Sequence, residues 1–276
     1  MAEVIWNNPQ FQVIEIIVKS IRVKTALSKS GLKELDYSLN PYLGCAYSCT
    51  YCYAPNFTPN KEASLNWGNV VVVKENLLEI LRKEVFLKRK GTVGVSTITD
   101  PYQPIEALMK ITRESILLLL SHNFRVSVQT KSPLVLRDLD ILTHNNKKVD
   151  VGFTVTSLER WKELEPNAPP PKARIRALER LTEEGIETWL FLGPIIRGFN
   201  DHEIESVIKE ISSIKTRIVF DKFKFYRGLK YKEGDTEWWK RVRENILKYC
   251  KKYNIECHEE SEDWIYERKR FFRPLF

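Results

Sequence analysis

Long apolar runs are missing from this chain. Nothing in its 276 residues approaches the roughly 18 consecutive apolar residues of a membrane span, so no membrane contact is expected. The opening MAEVIWNNPQFQ has neither a basic leader nor an apolar stretch closed by small residues, so no secretory signal is read there. The expectation is a soluble, cytoplasmic monomer. Internal repeats and low-complexity linkers are also missing, which excludes a repeat array. No P-loop, zinc-finger or RRM signature occurs. Cysteine is scarce, at five residues, and histidine is scarcer, at four. So few cysteines in a reducing compartment point to metal or redox chemistry rather than a disulfide framework.

What remains is ordinary globular composition, 43% hydrophobic and 29% charged, with enough length to bury a substantial core. The formal net charge of +8 suits a polyanionic partner such as DNA or RNA. The abundance of both Lys and Glu also fits a thermophile-like surface.

From about residue 70, β-branched runs alternate with amphipathic stretches. Strands are expected at 70–74, 94–99, 124–130, 149–156, 186–193 and 217–225. Helices are expected at 75–87, 105–121, 133–143, 172–184, 201–214 and 236–252. Strands of that length followed by longer helices indicate βα units, parallel strands and right-handed crossovers. Ser132 before Pro133 and Asp201 before its helix read as caps, and Gly185 as a C-terminal glycine. About six units imply a full or partial barrel or a doubly wound sheet, with functional loops at the strand C-terminal ends.

The unusual residues collect in those loops. Three cysteines sit within NPYLGCAYSCTYCY, spaced Cys45-x3-Cys49-x2-Cys52. An odd number of thiols makes a poor disulfide set. A structural zinc site wants a fourth ligand, and Cys250 and Cys257 lie some two hundred residues away. Closely spaced thiolates suit an iron–sulfur cluster. Three local ligands would leave the fourth iron of a cube open for an exogenous group. Gly44 and Pro41 let such a loop wrap closely.

CxxxCxxC with an aromatic before the last cysteine resembles the signature of the radical S-adenosylmethionine (SAM) superfamily. LNPYLGCAYSCTYCYA, TDPYQPIE, TKSPLVLRDLD, LEPNAPPPKARIRALERLTEEGI and GPIIRGFND, between about residues 36 and 201, resemble its spore photoproduct lyase-like (SplB-like) branch. The resemblance implies a partial (β/α)6 TIM-like barrel over residues 36–230. Extensions are then expected at 1–35 and 231–276, the latter packed on the barrel. It implies a [4Fe–4S] cluster on Cys45, Cys49 and Cys52, with SAM on the open iron. An electron donor such as ferredoxin or flavodoxin would drive reductive cleavage of SAM to a 5′-deoxyadenosyl radical.

By the same resemblance, Tyr51 lies near the adenine and Lys131 pairs with the SAM carboxylate. Thr154, inward with Thr156 by strand alternation, bonds to SAM, and Ile195 flanks adenine. Arg174 and Glu165 match family positions, or form a structural ion pair. Thr99 and Asp100 face SAM or substrate, or serve turn chemistry. Gly198 and Asp201 shape a loop and cap a helix.

One position departs from the branch. Where authentic spore photoproduct lyases carry a cysteine as hydrogen-atom donor, this chain has Thr97. Cys250 reads as buried filler, and Cys250 or Cys257 could replace that donor only if the C-terminus folded over the barrel mouth. The substrate stays open between a nucleic-acid base and a small metabolite, peptide or lipid-derived molecule, with a zinc-containing nucleic-acid-binding protein as a remote third reading. Residues 222–232 (KFKFYRGLKYK) and 264–276 (WIYERKRFFRPLF) interleave cations with aromatics. Such segments can track phosphates and stack bases, or form an edge strand with one buried face.

Overall fold

The structure, a computed structural model, describes residues 2–6 and 14–260. The cationic–aromatic tail at 264–276 lies outside the described residues. The strands are β1 (Ala2–Trp6), β2 (Ile14–Ile21), β3 (Ser28–Lys29), β4 (Tyr37–Leu39), β5 (Tyr42–Leu43), β6 (Val70–Lys74), β7 (Thr92–Val95), β8 (Arg125–Thr130), β9 (Val149–Val155), β10 (Glu187–Ile195), β11 (Arg217–Lys222) and β12 (Glu256–Glu259). The helices are α1 (Lys61–Leu65), α2 (Leu77–Leu87), α3 (Glu106–Met109), α4 (Ile111–Ser121), α5 (Leu139–His144), α6 (Trp161–Leu164), α7 (Pro171–Glu183), α8 (Ile204–Glu210) and α9 (Thr236–Lys252).

An eight-stranded sheet runs β12-β11-β10-β9-β8-β7-β4-β3. Every neighbouring pair from β4 to β12 is parallel, and β3 alone pairs antiparallel, with β4. This is a partial TIM-like barrel, as the resemblance implied. Its central strand β9 (VDVGFTV) is buried at all seven positions, as a parallel strand covered on both faces should be. Helices α2, α4, α5, α7, α8 and α9 pack on one continuous apolar core.

The run VVVVK was expected to open the barrel and does not. It is β6, in a separate four-stranded sheet ordered β1-β2-β6-β5. The first parallel barrel strand is instead the short β4, just before the cysteines. A fully apolar run fits either sheet equally well, so pattern could not choose. The helix expected at 105–121 breaks at Lys110, whose φ of 54° no glycine announces. Ser132 does cap, accepting from the Leu134 amide, and Gly185 closes α7 at φ 74°. Asp201 caps no helix: its carboxylate takes the Gly198 amide and the Trp238 indole N–H.

In the C-terminal segment, α9 presents Trp238, Trp239, Val242, Ile246 and Cys250 as one buried stripe, and Asp235 caps its start. Cys250 is not filler: it is disulfide-bonded to Cys257. Cys257 pairs in register with Ile218, near the start of β11 and away from the strand ends that carry the cysteine loop. Neither sulfur is a free thiol or lies at the barrel mouth, so the condition under which either could replace the hydrogen-atom donor is not met. The Cys250→Ser/Cys257→Ser double variant should lose about 2 kcal/mol through the short loop it opens. A lower melting temperature with unchanged iron content checks this.

Candidate active site

The cysteine loop is held by its surroundings before any ligand is considered. Tyr42 and Leu43 pair with Val73 and Val72 of the smaller sheet. Gly44 then turns at φ +84°, where a Cβ would stand 2.3 Å from the Val70 carbonyl oxygen, so only glycine fits. Two tight turns follow: the Ser48 amide donates to the Cys45 carbonyl at 3.3 Å and the Cys52 amide to that of Cys49 at 3.1 Å. All three cysteines are free; Cys45 is buried, and Cys49 and Cys52 are half-buried.

TDPYQ clamps this loop from one side. The Gln103 carbonyl oxygen accepts the Ala46 amide at 2.9 Å, and its amide donates to the Gly44 carbonyl at 3.2 Å and to Thr99 Oγ1 at 2.9 Å. Thr99 in turn donates to the Gly44 carbonyl at 2.6 Å. On the other side, the Thr50 amide donates to Leu164 at 2.8 Å and Asn167 donates to Ala46 at 2.9 Å. Sequence reasoning missed Gln103, because its partners in the cysteine loop, Gly44 and Ala46, lie more than fifty residues away. Gln103→Leu should strand the buried Ala46 amide, while the Gly44 carbonyl keeps its Thr99 donor, and cost about 1–3 kcal/mol. Its expected signature is low iron occupancy after anaerobic reconstitution, in a protein that still folds by circular dichroism.

Glu165 is the hub beside the thiols. Its Oε1 accepts from Thr156 Oγ1 at 2.9 Å and from the Tyr51 hydroxyl, with Lys131 Nζ at 3.8 Å. Its Oε2 contacts Arg174 Nη2 at 2.5 Å, a close ion pair that lies off the axis of a hydrogen bond. Arg174 also donates to the carbonyls of Thr154, at 3.0 Å, and Pro169, at 2.8 Å. Both side chains of the pair are fully buried. Burial alone would raise the Glu165 carboxyl, but Arg174 and Lys131 outweigh it and hold it below the usual range. Burial likewise opposes the Lys131 ammonium, which Cys49 and Glu165 nonetheless hold above its ordinary value. Asp100 pins the neighbouring strand ends, accepting from Thr130 Oγ1 and the Lys131 amide, each at 2.7 Å.

The structure therefore gathers Cys49, Tyr51, Lys131, Glu165 and Arg174 around one hub. Thr154 stands on the inward face, buried, its hydroxyl accepting from Gln129 at 3.1 Å. Ile195 ends β10, buried, its carbonyl accepting the Phe223 amide at 2.9 Å. Thr99 is tied up in the loop clamp.

Below the loop, the barrel encloses a cavity of about 180 Å³. Trp189 and Phe191 line it, with the partly exposed Tyr53 and Thr97 at the mouth and Leu35 against Gly94. The Trp189 indole lies over Gly152, where a Cβ would meet it at 2.3 Å. Asp150 accepts from Trp189 Nε1 at 2.9 Å, Ser127 at 2.7 Å and Arg125 at 2.8 Å. In the wall, Ser96 Oγ is buried with no hydrogen-bond partner among the described residues. Burial and the neighbouring Asp221 push the carboxyl of Glu260, another lining residue, up to about 8.

The donor set fits a soft, positively charged group. Burial pushes the Cys45 thiol up to about 12 and raises Cys49 and Cys52 as well. Three thiols packed this way become thiolates when a bound cation offsets their desolvation.

The family model of the radical SAM superfamily matches residues 39–211. The chain belongs to the radical SAM superfamily. As a radical SAM enzyme it uses SAM and an iron–sulfur cluster. It is 33% identical over 257 residues to the uncharacterized protein MJ0683 of Methanocaldococcus jannaschii, covering 88% of this chain and 95% of that one. It is 22% identical over 187 residues to the radical SAM Nalpha-GlyT isomerase of Pseudomonas phage M6, covering 66% of this chain and 38% of the phage protein. In fold it resembles a spore photoproduct lyase variant with dinucleoside spore photoproduct. The TM-score there is 0.70 at 16% identity, covering 89% of this chain and 81% of the lyase. No helix among the described residues of this radical SAM chain is long and apolar enough to cross a membrane.

Residues 222–232 form no edge strand, since β11 ends at Lys222. Phe223 turns inward against Tyr51, Leu164, Ile196 and Tyr231, whereas Phe225 is exposed.

Proposed function

We propose that Cys45, Cys49 and Cys52 hold a [4Fe–4S] cluster and that the substrate is a nucleic-acid base seated in the barrel cavity. The observation that carries the substrate reading is the lining. Flat apolar faces from Trp189 and Phe191 stand with polar edges from Gln129 and the unpartnered Ser96 hydroxyl. A planar heterocycle with donors and acceptors on its rim matches that combination. Support also comes from spore photoproduct lyase, which shares the fold and whose structures hold a dinucleoside photoproduct.

When bound and reduced by a one-electron donor such as ferredoxin or flavodoxin, the cluster supplies the electron that splits SAM to methionine and a 5′-deoxyadenosyl radical. The chain's own residues bind and orient. Lys131 offers its ammonium to the SAM carboxylate. Arg174 and Glu165, locked to each other, fix Tyr51 and the Thr154 carbonyl on the adenosyl side. Ile195 would supply the backbone segment that flanks the adenine. Thr99 acts through the loop, as a positioning residue. Tyr51, buried against the hub, excludes water from the thiols.

The test supplies dithionite, SAM and oligonucleotides deuterated on their bases, under anaerobic conditions. Deuterium in the recovered 5′-deoxyadenosine is the expected result. Label transfer from a small metabolite or peptide, with none from DNA or RNA, would overturn the substrate reading.

A further inference from the structure

Tyr53, Phe57 and Tyr226 form a closed triangle of rings at the cavity mouth. Their centroids stand 5.7 Å (Tyr53–Phe57), 5.7 Å (Tyr53–Tyr226) and 5.6 Å (Phe57–Tyr226) apart. Tyr53 and Tyr226 are tilted by only 36°, while Phe57 meets both edge-on, at 76° and 78°. The fold does not account for the cluster, because none of the three rings belongs to a buried core group. Tyr53 is 42% exposed and Phe57 55%, and so is Phe225 beside Tyr226. Rings grouped this way on a surface mark a binding face more often than chance exposure does.

Two further facts say what would cover it. First, the triangle continues the cavity, since Tyr53 lines both. Second, the charge beside it is cationic. Lys222 and Lys224 are offset by Glu233 and Asp221, at 2.9 and 2.6 Å. Arg227, Lys230 and Lys232 are exposed and form no ion pair among the described residues. Aromatic faces next to unpaired cations are the combination that single-stranded nucleic acid uses, with bases on the rings and phosphates on the cations.

We propose that Tyr53, Phe57 and Tyr226 are a stacking platform for the nucleobase flanking the one in the cavity, so that the enzyme takes its substrate from single-stranded or locally unpaired nucleic acid. This rests on the nucleic-acid reading given above. A base entering the barrel must leave its stack, which exposes a face of its neighbour. The platform covers that face and offsets part of the unstacking cost. In an intact duplex both faces of the neighbour stay covered until pairing and stacking are broken, so the rings gain nothing before that larger cost is met.

The test is fluorescence anisotropy with cluster-loaded protein and a labelled strand of about 12 nucleotides, as single strand and as blunt duplex. The wild type should prefer the single strand. Tyr226→Ala and Phe57→Ala should each weaken single-strand binding about tenfold, while Tyr226→Phe, which keeps the ring, binds as wild type. Arg227→Ala/Lys230→Ala should flatten the salt dependence by about one to two counterions, a slope that Tyr226→Ala leaves unchanged. Unaltered iron–sulfur absorbance and melting temperature confirm that the variants are folded. Wild-type affinity in both alanine variants, or equal affinity for the duplex, would overturn the platform and leave the nucleic-acid substrate standing. Failure of the wild type to bind any oligonucleotide at low ionic strength would overturn both. Tyr226-dependent binding of an acidic peptide, without oligonucleotide binding, would assign the face to a protein partner instead.

Discussion

Replacing Glu165 with leucine is expected to destabilise the protein by about 3–5 kcal/mol, because it leaves a fully buried guanidinium without its counter-charge. The same change releases the Tyr51 and Thr156 hydroxyls and removes the carboxylate nearest Lys131. Denaturant unfolding of the cluster-free protein measures the loss. A second variant separates stability from function. Glu165→Leu/Arg174→Met removes both charges, and an apolar pair of similar volume should recover most of the lost stability. If the pair also orients SAM, the double variant stays folded but binds SAM weakly. Tight SAM binding by a folded double variant would reduce Glu165 and Arg174 to a structural ion pair.

The second large effect is at the thiols. Cys49→Ala should lose the visible iron–sulfur absorbance and bring SAM cleavage down to background, with the fold retained. Cys49 is half-buried and makes no disulfide, so the substitution removes a ligand and little packing. Cys257→Ser is the matching control. It breaks the disulfide between α9 and β12 yet lies near the start of β11, so its cluster content should be that of the wild type. Iron and sulfide analysis of the two variants, reconstituted side by side, decides the point.

Much of the fold was legible because parallel βα units leave local signatures. The runs at 124–130, 149–156 and 217–225 became strands with small shifts, and α9 spans the residues its pattern indicated. Three features escaped, two of them, the VVVVK strand and Gln103, because they depend on partners distant in the chain. The VVVVK strand joins β2 and β5, a pairing that apolar composition does not encode. The Cys250–Cys257 bond exists because β12 lies beside α9. Gln103 looks like any turn residue until the cysteine loop is laid against it. The grouping of the three free cysteines in one loop was legible for the opposite reason, since their spacing is local. Glu165 and Arg174 were visible as a pair, but their hub with Tyr51 spans 114 residues. The cavity depends on register, since Trp189 needs Gly152 directly beside it.

The most direct measurement is anaerobic incubation of the purified, reconstituted protein with SAM and dithionite. A brown protein with about four irons per chain, forming 5′-deoxyadenosine and methionine with Cys45, Cys49 and Cys52 intact, is the predicted result. A colourless protein that binds zinc at those thiols and leaves SAM uncleaved would contradict it.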